Sequence, residues 1–258
     1  MNLRLIIQGF IVGIGKIIPG VSGSMMAMLM GIYEPLMEAV TKFFDNKKKH
    51  FYLLFNFGIG IFLAIILFSK IILFLLENYY YYTIYLFLGL IMGTVFQFKK
   101  NVNFNKKNVV IFSLAFGFII LISFFQTDSS FIFQNTFFHY LYIILLGMID
   151  AATSIIPGVS GTAIFMMLGS YEFVLNTFLN PFSVWFLCYI LGAFLGVMIT
   201  CYLMYFLLKK WKMQTYIVIF AFSLASVFIL FLGVCKGINL TCFLLFAGGL
   251  VSGYIFDS

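Results

Sequence analysis

The chain has 258 residues, of which 64% are hydrophobic and only 9% are charged. A soluble domain has about 25% charged residues, and a chain of this length could not bury so much apolar surface in water. A net charge of +7 could indicate a nucleic-acid-binding protein. However, the lysines cluster in short loops between apolar stretches, which is typical of the loops that orient a protein in a membrane. We therefore expect an all-α polytopic membrane protein without a soluble domain or a nucleic-acid partner.

The first element is an apolar segment that is interrupted by Pro19. Residues 5–18 supply only about 21 Å of helix, whereas the hydrocarbon core of a bilayer is about 30 Å thick. Pro19 removes a backbone donor and disfavours helix at the residue before it, while Ser22 or Ser24 can cap a second helix. The simplest interpretation is a re-entrant helical hairpin over residues 5–41, broken near the middle of the membrane.

Six further stretches are long enough, or nearly so, for a membrane-spanning helix, which needs about 20 apolar residues. They are 51–76, 83–98, 108–126, 183–208, 213–234 and 239–257. Nearly all of the exposed lysines lie in three of the loops, at residues 42–49, 99–107 and 209–212. Placing these loops in the cytoplasm puts both termini there as well.

The chain contains an internal repeat that matches residues 9–34 with residues 147–172. Aligned without gaps at a spacing of 138, the two segments agree at 13 of 26 positions, including the run IIPGVSG and a closing Tyr-Glu pair. The second copy predicts another re-entrant hairpin at 137–180.

The repeat divides one integral membrane domain into two halves, 1–136 and 137–258. Each half then contains one hairpin and three transmembrane helices, and an odd number of crossings makes the two repeats inverted. Two full spans per motif, instead of a hairpin, would also give an odd number. Inversion therefore follows from either interpretation, whereas re-entrance depends on the short helix and its break.

The broken motifs are the candidate site, because unwound backbone at membrane depth is tolerated only where protein or a water-filled cavity covers it. Free N–H groups, hydroxyls and the positive end of the following helix suit a phosphate or carboxylate better than a cation. Lys16 could add a positive charge that binds the anion. Alternatively, it could form an ion pair with Asp150 or Glu34, or extend its side chain towards the cytoplasm. The candidate phosphate-binding residues are Lys16, Pro19, Gly20, Val21, Ser22, Gly23, Ser24, Pro157, Gly158, Val159, Ser160, Gly161 and Thr162.

Three acidic residues are candidates for proton coupling. Glu34 and Glu172 end the two motif helices, and they could carry protons if buried or mark the membrane interface if exposed. Asp150 could carry a proton or pair with Lys16. A separate set of glycines is expected to permit close helix packing: Gly13, Gly31, Gly89, Gly93, Gly192 and Gly196.

The paired PGVSG turns, each followed by a helix that closes in G-x-Y-E, resemble the bacterial polyprenyl-phosphate translocases of the PopT type. The resemblance covers nearly the whole chain. It implies a flippase that returns undecaprenyl phosphate from the outer to the inner leaflet of the cytoplasmic membrane, for recycling of this lipid carrier. By this resemblance the functional residues are those of the two turns, 19–24 and 157–162, and less firmly Glu34 and Glu172. The first copy in this family usually has an acidic residue where Lys16 stands and glycine where Ser24 stands.

Two other classes of function remain as alternatives. A secondary transporter or channel for a small soluble anion could use the same broken-helix site. A membrane enzyme is disfavoured, because the chain has no HExxH motif, no P-loop and no nucleophile with a nearby histidine base. We therefore expect no catalytic residue, metal or cofactor, while the oligomeric state is not predicted.

Overall fold

The protein, in a computed structural model, is built from α-helices. The structure describes residues 2–17, 22–99, 102–124, 136–159, 161, 164–165, 168–170, 173–174, 177, 182–234 and 239–255. The helices of these residues are α1 (Leu3–Ile17), α2 (Gly23–Leu29), α3 (Tyr33–Thr41), α4 (Lys47–Asn78), α5 (Tyr80–Phe98), α6 (Lys106–Phe124), α7 (Phe137–Ile155), α8 (Val184–Lys210), α9 (Lys212–Val234) and α10 (Leu240–Ile255). The predicted all-helical class is confirmed.

Five of the described helices are long and apolar enough to cross a membrane, namely α4, α6, α7, α8 and α9. Helices α5 and α10 are apolar but shorter. All six predicted spans coincide with a helix to within a few residues, so the chain is a multi-pass membrane protein.

Helix α7 is longer than the half-helix predicted at the start of the second hairpin. Its 19 residues, Phe137–Ile155, extend about 28 Å, because no helix breaker occurs before Pro157. Helix α1 has 15 residues and extends about 22 Å. The two repeats therefore begin with helices of different length.

Side-chain caps define where several of these helices begin. In each case an asparagine or serine oxygen accepts a hydrogen bond from the backbone N–H three residues later, which satisfies a donor that the helix leaves free. The pairs are Asn46 with Lys49, Asn105 with Asn108, Ser183 with Phe186 and Asn239 with Cys242.

The packing of α1 on α4 recurs in the packing of α7 on α8. In both pairs glycines lie directly against backbone carbonyls of the facing helix, which leaves no room for a Cβ atom. The contacts are Gly9 with Phe57 and Gly60 with Ile6 in the first pair, and Gly147 with Tyr189 and Gly192 with Ile144 in the second. Residues 6 and 9 are related to 144 and 147 by 138, while 57 and 60 are related to 189 and 192 by 132.

Helices α5 and α10 also pack through glycines, and they run parallel. Gly249 lies against the Leu86 carbonyl and Gly253 lies against the Leu90 carbonyl, so both helices advance in the same direction along the contact. Helix α6 packs on α9. Five of the six glycines predicted to permit close packing do so. Gly31 differs, because nothing lies near it and its φ of +66° places it in a turn.

Helix α3 belongs to the first half in sequence but contacts the second half. Its buried Tyr33 donates a hydrogen bond of 2.9 Å to the carbonyl of Ile155, at the end of α7. At its other end, Lys42 lies over the ring of Tyr205 on α8 and forms an ion pair of 3.1 Å with Glu38. The bond to Lys42 lowers the pKa of the Glu38 carboxyl, which is exposed. A hydrophobic core shared by both halves covers the buried side of α3.

Candidate functional site

A small cavity lies where the two PGVSG motifs approach each other. Its volume of about 10 Å³ accommodates roughly one water molecule. Helices α2, α5 and α9 and the second turn line it with the residues Ser22, Met25, Met26, Ile91, Thr94, Gly158, Ser223 and Ser226. Hydroxyls and a backbone segment therefore face one another inside an otherwise apolar core.

The cavity is lined by equivalent positions of the two halves. Ile91 and Thr94 lie one turn apart on α5, and Ser223 and Ser226 lie one turn apart on α9. The spacing between the two sets is 132, the same spacing that relates Phe57 to Tyr189. The repeat found in the motifs therefore extends into the walls of the cavity.

The first turn contributes the beginning of α2. Ser22 occupies the N-cap position with extended backbone, but its hydroxyl caps no backbone N–H and lies 2.8 Å from the hydroxyl of Ser24. Gly23 packs on α1, where an added Cβ would lie 3.0 Å from the Val12 carbonyl and 3.1 Å from Cγ of Lys16. The candidates Pro19, Gly20 and Val21 lie outside the described residues.

The second turn is fixed by two glycines. Gly158 has a φ of +83°, and an added Cβ would lie 2.6 Å from the backbone nitrogen of Ser223. Its carbonyl accepts a hydrogen bond of 2.7 Å from the Ser226 hydroxyl. Gly161, the equivalent of Gly23, packs on α7 against the Thr153 hydroxyl. This turn therefore demands glycine for both steric and conformational reasons.

The remaining candidates of the second turn have varied positions. Pro157 is fully buried, and Val159 is half-buried. Ser160 and Thr162 lie outside the described residues.

The glycine of the closing G-x-Y-E motif ends a helix in both copies. Gly31 and Gly169 have φ values of +66° and +62°, and the next N–H bonds back five residues, from Ile32 to Ala27 and from Ser170 to Phe165. These are the bonds of a helix that ends in a left-handed glycine. The prediction that Glu34 ends the motif helix is therefore wrong, because Glu34 lies in the first turn of α3.

Glu34 is exposed at a junction between the two halves. Its carboxylate forms an ion pair of 2.6 Å with Lys212 and accepts a hydrogen bond of 3.2 Å from the Tyr216 hydroxyl, both on α9. A carboxylate is also favoured near the N-terminus of α3 by the helix dipole. Glu172 lies outside the described residues.

Asp150 and Lys16 do not form the ion pair that the sequence left open. Asp150 is half-buried on α7, and its Oδ2 accepts a hydrogen bond of 2.7 Å from the hydroxyl of Tyr189. Lys16 is exposed and forms no ion pair with any other described residue. The positive charge of Lys16 is therefore not neutralised by a carboxylate in the described part of the chain.

Several cavity residues were not among the sequence candidates, namely Met25, Met26, Ile91, Thr94, Ser223 and Ser226. A signal for the two serines exists in the sequence, because Ser223 and Ser226 are hydroxyls one helical turn apart in an otherwise apolar span. Within the described residues, no group of three or more His, Cys, Asp or Glu side chains is arranged to hold a metal ion.

The cavity and the glycine-rich motifs beside it are thus built from both halves of the chain. A family model described as VCA0040-like, undecaprenyl phosphate translocase-like, matches residues 12–241. The chain belongs to this family. The family that the sequence motifs suggested is therefore confirmed.

A relative of the family comes from Vibrio cholerae serotype O1 and is named as a polyprenyl-phosphate transporter. It is 23% identical over 230 residues, an alignment that covers 81% of this chain and 71% of the relative. No solved structure matches the chain. The family and the relative are both described as transporters, in agreement with the prediction that the protein is not an enzyme.

Proposed function

We propose that this protein is a flippase that moves undecaprenyl phosphate from the outer to the inner leaflet of the bacterial cytoplasmic membrane, for recycling of the lipid carrier. The observation that carries the proposal is the cavity between the two motifs, which hydroxyls of both halves line, among them those of the equivalent residues Thr94 and Ser226. The name of the Vibrio cholerae relative supports the substrate class. Hydroxyl and N–H donors can replace part of the water that a phosphate loses on entering the membrane.

Opposite orientation of the two halves is supported by the direction of α5 and α10. Helix α5 is the second of three spans in its half, and α10 is the third of three in the other half. If both halves had the same orientation, these helices would run antiparallel, whereas the glycine contacts make them parallel. An inverted repeat therefore accounts for this packing. In this arrangement the three lysine-rich loops and both termini lie on the same side of the membrane, and the lysines favour the cytoplasm as that side.

Re-entrance of the first motif is supported by the lengths of its helices. Helices α1 and α4 run parallel, because Gly9 faces Phe57 and Gly13 faces Ile61. The chain between them must therefore return to the side from which α1 begins. The return uses α2 and α3, of 7 and 9 residues, and neither is long enough to cross a bilayer. In the second half, the greater length of α7 keeps the two-span alternative open.

Transport requires the two turns to move apart, because the cavity accommodates about one water molecule and no phosphate group. Rocking of one half against the other would open it to one side at a time, with the polyprenyl tail in the surrounding hydrocarbon. We propose that Lys16, which packs across Gly23 at the first turn, supplies positive charge to the lipid phosphate during this passage.

Proton coupling belongs to the same proposal, with Glu34, Glu172 and Asp150 as its candidates. Glu34 is exposed and already neutralised by Lys212, whereas Asp150 is half-buried beside the second turn. These environments favour Asp150 over Glu34 as a proton carrier.

The test is transbilayer movement of a short-chain polyprenyl phosphate in proteoliposomes, followed by a reagent that detects exposed phosphate head groups. We expect movement that depends on the protein and falls in Lys16→Ala and Ser226→Ala. The matched controls are Lys70→Ala on α4 and Ser252→Ala on α10. Ser252 makes the same kind of bond as Ser226, to the carbonyl of a glycine, but outside the cavity.

No protein-dependent movement by folded protein would refute the proposal. Uptake of a radiolabelled soluble anion by the same proteoliposomes would then support the alternative, a transporter or channel for small anions. Equal loss of movement in Lys16→Ala and Ser226→Ala and in their controls would refute the location of the site.

A further inference from the structure

The two halves differ chemically at one pair of facing positions where their packing is otherwise the same. Tyr189 on α8 faces Gly147 in the way that Phe57 on α4 faces Gly9. The repeat spacing of 138 makes Asp150 the equivalent of Val12. A hydrogen-bonded carboxyl and phenol in the second half thus occupy the places of two buried apolar side chains in the first half.

Asp150 is positioned between α8 and the second turn. Its Oδ2 accepts the 2.7 Å hydrogen bond from the buried Tyr189 hydroxyl, while an added Cβ at Gly161 would lie 3.7 Å from its Oδ1. The Thr153 hydroxyl, which lies against Gly161, donates a hydrogen bond of 2.9 Å to the backbone carbonyl of Asp150. A change in the protonation of the Asp150 carboxyl would therefore directly alter the contacts of the second turn.

Few ionisable groups of the neighbouring helices are near Asp150. Helix α8 supplies Tyr189 and, beside it in sequence, Cys188, while its lysines lie at the far end. Helix α2 contains no ionisable side chain, and α3 contributes Tyr33, which bonds to the Ile155 carbonyl. No lysine, arginine or histidine forms an ion pair with Asp150 among the described residues.

An unpaired carboxylate inside a membrane is costly and is usually functional. A protonated carboxyl has no charge and can donate a hydrogen bond as well as accept one. We propose that Asp150 and Tyr189 form a proton-binding site that couples proton movement to motion of the second turn. The step is proton binding alone: Asp150 takes a proton from water on one side of the membrane and returns it to water on the other.

This inference rests on the proposed transport function and is tested by transport of polyprenyl phosphate across a series of pH values. We expect a pH-dependent rate for the unaltered protein, and loss of the dependence in Asp150→Asn. Tyr189→Phe should keep a pH dependence, because the carboxyl remains although it loses its phenol donor. Glu38→Gln, which removes an exposed carboxylate of α3, should keep the original profile.

A double variant separates loss of the carboxyl from loss of folding. Asp150→Val with Tyr189→Phe installs the pair that the first half already packs between α1 and α4, so we expect it to fold and to lack the pH dependence. A retained pH profile in Asp150→Asn, or its loss in Glu34→Gln instead, would overturn the inference. A rate independent of pH in the unaltered protein would also overturn it.

A separate measurement distinguishes failure of this inference from failure of the transport proposal. Infrared difference spectra of the protein between acid and alkaline pH should contain a protonated-carboxyl band that disappears in Asp150→Asn and shifts in Tyr189→Phe. If polyprenyl phosphate does not move but the band behaves in this way, the proton site stands and the substrate is wrong. Absence of a band assignable to Asp150 refutes the proton site whatever the substrate.

Discussion

Replacing Gly158 with alanine tests whether the second turn depends on its left-handed backbone and on close contact with α9. Three other glycines separate these two contributions. Gly31 has a positive φ but no neighbour, Gly9 packs against a carbonyl in ordinary helix, and Gly117 has neither constraint. Alanine at these four positions therefore forms a matched set.

The expected costs follow from the contacts. A positive φ costs an alanine about 1–2 kcal/mol, which is the whole effect at Gly31. A Cβ forced against a facing backbone costs about 1–3 kcal/mol, which is the whole effect at Gly9. Gly158→Ala combines both and strains the 2.7 Å bond from Ser226, so its destabilisation should reach about 2–5 kcal/mol. Gly117→Ala should be neutral or stabilising by up to about 1 kcal/mol.

The assay is thermal unfolding of the four purified variants in one detergent, combined with their transport rates in proteoliposomes. The midpoint should be lowest for Gly158→Ala, intermediate for Gly31→Ala and Gly9→Ala, and unchanged or raised for Gly117→Ala. Transport should fall most in Gly158→Ala, since its turn lines the cavity. A Gly158→Ala protein as stable as Gly117→Ala would refute the geometry of the second turn.

Three further predictions concern two contacts between the halves and one hydrogen bond within the second half. Tyr33→Phe should destabilise the protein by about 1–3 kcal/mol, because it leaves a half-buried carbonyl at the end of α7 without its tyrosine donor, as checked by thermal unfolding. Glu34→Gln should change stability by no more than about 1 kcal/mol, since its pair with Lys212 is exposed, and salt titration of the unfolding midpoint should show a weaker dependence. Ser226→Ala should reduce the transport rate even at temperatures well below its unfolding midpoint, where the variant is folded. A loss of transport that only accompanies unfolding would assign Ser226 a purely structural role.

The sequence predicted the spans because their signal is local. An apolar stretch of sufficient length in a membrane must satisfy its backbone internally, so α4, α8 and α9 could be read from composition alone. The positions of the two turns were also predictable, since Pro19, Pro157 and their glycines restrict the backbone without reference to distant residues. The repeat added that the same sequence motif follows both helices, which no single segment could indicate.

The role of the closing Tyr-Glu pair could not be read in this way. The sequence predicted that Glu34 ends a motif helix, because it follows an apolar run, but the left-handed Gly31 ends α2 earlier and a new helix begins at Tyr33. The partners of the pair, Ile155 and Lys212, are more than 100 residues away. Similarly, the sequence left a pairing of Asp150 with Lys16 open, whereas the carboxylate of Asp150 accepts its bond from a phenol on another helix.

The sequence by itself determined the membrane class, the positions of the six apolar helices, the break between α1 and α2 and the end of α7, because hydrophobic length, proline and glycine act locally along the chain. Only the tertiary structure decided that α3 packs on the other half, that α5 and α10 run parallel, and that Thr94, Ser223 and Ser226 face the turns. Those facts depend on which helix surfaces meet. In a chain whose helices are apolar on nearly every side, periodicity does not distinguish a lipid-facing surface from a buried one.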